Sequence, residues 1–253
     1  MLEPPRHTAC SRAMEEDPNK GRCSVENCPK HRGVQAMHVL PREVTETDCV
    51  MRSLEYSWNL RRGTLNLDTR RNILFVGKSL AAMYARGCWV LLPEESVMDQ
   101  FVHPKLGIAL GRVEFPALSP PFNYRFVPVR DMDDVGVVHQ NESPPTSGNS
   151  FTNHVYPFKT LPLIKSHVHP QFAIVAIGKV LYTPSVMTKP LRQKLFAEFP
   201  AVKKVYELYG SWTSTADTPA ALKYSNSTAT HQGKTTEAAH PSSRQAPHIT
   251  LTH

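Results

Sequence analysis

Proline limits how long any single element of this chain can run. The 253 residues hold 22 prolines against 12 glycines, and each proline fixes its own φ and removes a backbone donor. Stiff connecting segments follow, while collagen, long helical arrays and glycine-rich flexible repeats are excluded. The prolines sit in pairs such as Pro120-Pro121 and Pro144-Pro145, at the ends of apolar runs such as Pro41 and Pro93, and in the polar terminal segments. The length suits one large or two small domains. With 40% hydrophobic and 20% charged residues, there is enough apolar material for a core. The longest apolar runs, residues 89–92 and 172–177, fall far short of the roughly 20 residues of a membrane-spanning helix. The first twenty residues carry Pro4, Pro5, Glu15, Glu16 and Asp17 and no apolar stretch of signal-peptide type. The expectation is an intracellular protein of cytoplasm or nucleus, not secreted, with no membrane partner and with its five cysteines reduced.

Composition divides the chain further. Residues 1–20 are polar and proline-containing and read as a disordered tail. Residues 211–253 contain 15 Ser or Thr and almost no apolar cluster, so they cannot bury enough surface to offset their ordering entropy and also read as a disordered tail. Residues 131–150, with Asp131, Asp133, Asp134 and a Ser/Pro/Asn-rich run, read as a linker loop. Two structured blocks remain, 21–130 and 151–210, and together they predict an α+β fold. In the first block, residues 34–40 form an extended run ending at Pro41, and Thr47 is placed to cap a helix reaching Trp58, with Val50, Met51, Leu54 and Trp58 on one face. Thr64 to Asp68 alternates as a short extended segment with Leu65 and Leu67 inward, and residues 72–76 form a strand. Ser79 caps a helix that Gly87 closes, and residues 88–92 form the next strand. In the second block, residues 172–177 read as a buried strand, Pro190 opens a helix carrying Leu191, Leu195, Phe196 and Phe199, and a last helix runs from Ala201 to Gly210.

The informative constellation lies in the first block. His38 ends a short strand before Pro41-Arg42, and Asn72 begins a later strand that a helix and an aromatic strand follow. Around them stand Cys23, the segment Leu54-Glu55-Tyr56-Ser57-Trp58, and the run from Gly63 through Thr64, Leu65, Asn66, Leu67, Asp68, Thr69, Arg70, Arg71 and Asn72 to Ile73. This series resembles the HNH, or ββα-metal, nuclease family, and in particular the HNH-nuclease-like proteins common in mushroom-forming fungi. The Ser-His-x-His-Pro segment at Ser166–Pro170 resembles the C-terminal part of the same proteins, so the likeness covers about residues 20–210. It implies a ββα-metal unit with a helical insertion, followed by a small C-terminal β/α element. It also implies hydrolysis of phosphodiesters, with His38 as the general base that activates water and Asn72 as the residue that positions the His or supports its loop. A divalent metal, Mg²⁺ or Zn²⁺, would neutralise the phosphate charge.

The metal ligands do not carry over. The helix position where the family has a His is Ala81, the Asp position is Ala85, and Met37 precedes His38. None can hold Mg²⁺, which takes hard oxygen ligands. An active site would need His31, Asp68 or His103 to fold in from elsewhere. A second metal possibility is the Cys23-x4-Cys28-x2-His31 spacing, whose thiolates and imidazole are zinc ligand types; two idle thiols are the alternative. His167 and His169 would share a face if extended, and otherwise form a turn.

The formal net charge is +7. Between Lys20 and Arg86 there are 12 Lys or Arg against six Asp or Glu, and Arg42, Arg61, Arg62, Arg70, Arg71 and Lys78 stand near the motif. DNA or RNA is the partner such a field would suit, with an ordinary basic surface as the alternative. Three functions are therefore open: a metal-dependent nuclease, a catalytically impaired module that still binds nucleic acid, and a structural or protein-interaction scaffold.

Overall fold

The structure is a computed structural model, and it describes residues 3–43, 48–110 and 112–214. It is mixed α and β, with three small antiparallel sheets. Strand β1 (Val34–His38) pairs with β2 (Ile73–Gly77) in a register that sets Val34 opposite Gly77 and His38 opposite Ile73. Between them lies α2 (Asp48–Ser57); the expected cap at Thr47 lies outside the described residues. Helix α3 (Lys78–Ala85) follows β2 without a break. Its N-cap is Gly77, two residues ahead of the expected Ser79. Its far end closes as expected on Gly87, whose φ is +72°. There the Gly87 and Cys88 N–H groups donate to Tyr84 and Met83 carbonyls, the Schellman arrangement that a left-handed glycine permits. The Tyr84 hydroxyl donates to the Val39 carbonyl at 2.8 Å, which fixes α3 against the end of β1.

Strand β3 (Trp89–Pro93) begins the central sheet, in the order β3–β4–β7 with β4 (Phe122–Pro128) and β7 (Ile164–Ser166). The short helix α4 (Glu95–Met98) follows β3. A separate ribbon pairs β5 (Gly136–Gln140) with β6 (Phe151–Val155). The last described elements are α5 (Pro170–Tyr182), α6 (Lys189–Glu198) and α7 (Ala201–Thr213). The two blocks expected from composition share one core, in which Trp89, Leu91 and Tyr124 of the first are buried with Ile164, Ile174 and Val205 of the second.

The structure differs from the sequence expectations at several elements. The residues expected as an N-terminal tail form helix α1 (His7–Glu16). Ala9 and Ala13, four apart and thus on one face, are buried against Ile73 and Phe75. Asp17 then meets the buried ring of His167 at 3.5 Å and accepts the Gly21 N–H at 2.7 Å. The expected linker at 131–150 contains β5, held because Gln140 N–H donates to the Glu26 carbonyl. The expected strand at 172–177 is the middle of α5. An apolar run buried on all sides carries no period that separates strand from helix. The deciding features are Pro170 at the helix start and a length of 13 residues, nine of them buried. Gly178 lets α7 approach closely, since a Cβ there would lie 2.1 Å from Tyr209 Cγ.

The expected extended segment at 64–68 has no partner strand. The buried Glu55 carboxylate accepts the Gly63 and Leu65 N–H groups at 2.9 Å each, supplying acceptors that a neighbouring strand would otherwise offer. At the C-terminus, α7 runs through Gly210 to Thr213, because Trp212 is buried edge-on against Trp58 and Phe101. The rest of the expected C-terminal tail, from residue 215, lies outside the described residues. No helix among the described residues is long and apolar enough to cross a membrane.

Candidate functional site

Asn72 organises the end of the β1–β2 hairpin. Its side chain is fully buried. The Leu40 N–H donates to its Oδ1 at 2.8 Å, and its amide donates to the Leu40 carbonyl at 2.8 Å and the Leu67 carbonyl at 2.9 Å. One amide thus ties the segment leaving β1 to the segment entering β2. Asn66 supports the second of these, its Oδ1 accepting the Asp68 N–H at 2.8 Å. The Gly63-to-Ile73 run that gave the sequence its family likeness is therefore a strap. Glu55 holds its first half and Asn66 and Asn72 hold its second. Glu55 was not singled out by sequence reasoning. The available signal was its place in the Leu54–Trp58 segment, where it is buried with Leu54 and Trp58.

The strap delivers Asp68 to His38. The imidazole Nε2 lies 3.2 Å from Asp68 Oδ1, within hydrogen-bond reach. Both side chains are buried, His38 at 2% exposure. Arg6 closes the pair from outside. Its backbone N–H donates to Asp68 Oδ1 at 3.1 Å and its Nε lies 3.3 Å from Oδ2. Of the three residues that could have supplied a replacement ligand, Asp68 does fold onto His38. His31 is exposed in a short 3-10 turn, and His103 accepts the N–H of Lys105 in a separate turn.

The divalent metal implied by the resemblance does not fit this place. Ala81 is buried and offers a methyl group, Met37 is buried in the core, and both Asp68 oxygens are engaged by His38 and Arg6. Among the described residues, no group of three metal-ligating side chains includes His38.

The six cations fall into three settings. Arg42 and Arg70 carry acidic partners from the N-terminal segment: Arg42 Nη1 lies 2.8 Å from Glu3 Oε1, and Arg70 Nε lies 2.7 Å from Glu16 Oε1. Arg61, Arg62 and Arg71 are exposed, Arg61 and Arg62 in the turn that Glu55 shapes. Arg71 lines a cleft of about 320 Å³ with Trp58, Leu60, Phe115, His169 and Gln171. Lys78 is exposed at the other end of the hairpin, where its N–H donates to the Gly33 carbonyl. The structure therefore gathers His38, Asp68, Asn72, Arg42, Arg70 and Arg71 at one end and leaves Lys78 apart.

The remaining candidates separate likewise. His167 lies in the core against Asp17 and the Phe75 ring, and His169 lies edge-on to Phe122, so the two imidazoles do not converge. Burial, helped by the charge of Arg71, pulls the His169 imidazole down to about 4. Cys23 and Cys28 do converge, joined by Glu26 in place of the expected His31, and the ligand atoms of these three lie within 4.8 Å of one another. The group could hold a metal ion. Hydrogen bonding to Cys23 lowers the Cys28 thiol to about 7, while the same contact and burial push Cys23 up. Trp58 and Trp89 are buried core residues. No family model, no curated protein and no solved structure matches the chain.

Proposed function

We propose that the chain is a ββα-metal, HNH-like module that binds the phosphate backbone of nucleic acid and does not cut it. The observation that carries this reading is the donor set beside His38. A general base must reach the proton that it abstracts, directly or through one water. His38 is buried, with its Nε2 on Asp68 and Arg6 closed over that carboxylate. A metal at this position would need further hard ligands, and α3 presents Ala81 there. The residues that serve catalysis in active relatives of this fold here do structural work, with Asn72 fixing two loops and His38 and Asp68 forming a buried polar pair.

Binding rests on different side chains. Arg61, Arg62 and Arg71 have no ion-pair partner among the described residues. Each can replace a condensed counterion on a phosphate backbone. The turn carrying Arg61 and Arg62 is anchored by the two hydrogen bonds to Glu55, so their backbone is held before any ligand arrives. Phosphate contacts of this kind carry no base sequence information.

The test is fluorescence anisotropy with labelled DNA and RNA across a salt series. Affinity is expected to fall steeply with salt. The Arg61→Ala/Arg62→Ala/Arg71→Ala variant should weaken binding uniformly across sequences and flatten the logarithmic salt slope by about one per residue removed. A salt-independent signal, or a triple variant that binds as the parent does, would overturn the proposal.

A further inference from the structure

We infer that Cys23, Glu26 and Cys28 form a zinc site within the loop before β1, next to the junction of β2 and α3. The three ligand atoms already lie within 4.8 Å of one another, and among the described residues this is the one group of three such donors. Two sulfurs and one carboxylate favour Zn²⁺ over Mg²⁺ or Ca²⁺, which take oxygen shells. A three-ligand set leaves the fourth tetrahedral position to water or an incoming ligand.

The surroundings are those of a built site. Cys23 Sγ accepts the Glu26 N–H at 3.2 Å and the Gly77 N–H at 3.3 Å, two donors that would stabilise a thiolate. The loop holds its shape through backbone bonds, Cys23 N–H to the Cys28 carbonyl at 2.9 Å and Asn27 N–H to the Cys23 carbonyl at 2.8 Å. Asn27 makes the turn in the left-handed region at φ 52°, its side-chain amide donates to the Gln140 carbonyl at 2.7 Å, and its Oδ1 accepts from Arg22. Glu26 is steered by Gly77, because a Cβ at residue 77 would come within 2.6 Å of Glu26 Oε2. The absent side chain is what lets the carboxylate lie over the end of β2. Two thiolates and a carboxylate around Zn²⁺ leave one net negative charge, which Arg22, bonded to Asn27, and Arg32, whose charge is felt at Cys28, partly offset.

This site is distinct from the His38 end of the hairpin. Gly77 is paired with Val34 and His38 with Ile73, four residues apart along the strands, or roughly 13 Å at about 3.3 Å per residue. Zinc here would constrain the 23–28 loop, whose Cys23 Sγ accepts the Gly77 N–H at the end of β2, and it would take no part in chemistry at His38.

The experiment uses the full chain, purified under reducing conditions and stripped with a chelator. Zn²⁺ is titrated against a chromophoric competitor, and Co²⁺ is added separately as a spectroscopic probe. The expected result is one Zn²⁺ per chain. Co²⁺ should give a sulfur-to-cobalt charge-transfer band in the near ultraviolet with tetrahedral bands in the visible. Glu26→Gln should weaken zinc by about tenfold or more, Cys28→Ser should cut the charge-transfer band by about half or more, and Cys10→Ser/Cys49→Ser should change neither. Absence of stoichiometric zinc in the reduced parent would overturn the inference. So would a cobalt spectrum unaltered in Cys28→Ser, or a Cys23–Cys28 disulfide whose reduced form takes up no metal. The parent protein alone decides the first and third outcomes, so a variant that fails to fold does not protect the inference.

Discussion

Replacing Asn72 by alanine should be among the most costly single changes in the molecule. Three hydrogen bonds end on this fully buried amide, from Leu40 N–H and to the carbonyls of Leu40 and Leu67. Asn72→Ala leaves one buried N–H and two buried carbonyls without these partners. Each buried group so stranded costs about 1–3 kcal/mol, and carbonyls, with two lone pairs, are more easily satisfied elsewhere. The expected total is about 3–5 kcal/mol, equivalent to a fall in melting temperature of about 10–15 °C for a chain of this size. Asn72→Asp is expected to be no better: it retains an acceptor for Leu40 N–H but sets a second acceptor against two carbonyl oxygens. Urea denaturation gives the energy, and hydrogen exchange at the Leu40 amide locates it. The Leu40 N–H, protected in the parent, should exchange at the rate of a locally open loop in the variant. A loss below about 1 kcal/mol, or a Leu40 amide still fully protected, would refute the assignment of Asn72 as the clamp between the two segments.

Other outcomes follow from the same structure. His169 is held neutral, with burial the main cause and Arg71 the second, at about 4 against an ordinary value of 6.5. The unfolded chain therefore binds the extra proton first, so this contribution is complete above about pH 6.5 and is lost as pH falls towards 4, by about 3 kcal/mol in all. His169→Gln should flatten the stability profile over that window in urea titrations, and an unchanged acid slope would contradict the assignment. Glu3→Gln/Glu16→Gln removes the acidic partners of Arg42 and Arg70. Freeing Arg70 should tighten nucleic-acid binding at low salt and steepen the salt slope by about one, and weaker binding in anisotropy would count against the proposed surface. Gly178→Ala forces a Cβ into the Tyr209 ring and should cost about 1–3 kcal/mol, whereas Gly148→Ala, with open space around it, should leave the melting temperature unchanged.

Much of the first block was legible because its elements are announced by local chemistry. The β-rich run before α3 and Gly87 after it place a strand and a helix end by backbone rules alone, and the extended run before Pro41 places β1. Asn72 and His38 were visible as a pair through the surrounding run of residues, although the run reports the strap that holds them and not the chemistry at its end. The elements that were misread share a cause: their state depends on partners distant in the chain. Residues 172–177 are apolar on every side, so the run itself carries no period, and the helix is set by Pro170 at its start and by packing against α7 at Gly178. Helix α1 looks like a polar tail until Ile73 and Phe75 supply a surface for Ala9 and Ala13. The 131–150 segment gains a strand because β6 and Glu26 complete its hydrogen bonds. The pairing of Arg42 and Arg70 with Glu3 and Glu16 was hidden for the same reason, and it alters the count of cations open to a ligand. Glu26 was hidden within the Cys23–Cys28 loop because spacing drew attention to His31, while the turn at Asn27 brings the carboxylate to the sulfurs instead.

The central claim, binding without cleavage, is tested most directly by one incubation read twice. End-labelled DNA and RNA are mixed with the purified chain in Mg²⁺, Mn²⁺ or Zn²⁺, and each sample is divided between a native gel and a denaturing gel. The expected result is a salt-sensitive shift on the native gel with full-length strands on the denaturing gel under every metal. Strand scission that disappears in His38→Ala would contradict the account and would make the His38–Asp68 pair a working catalytic site.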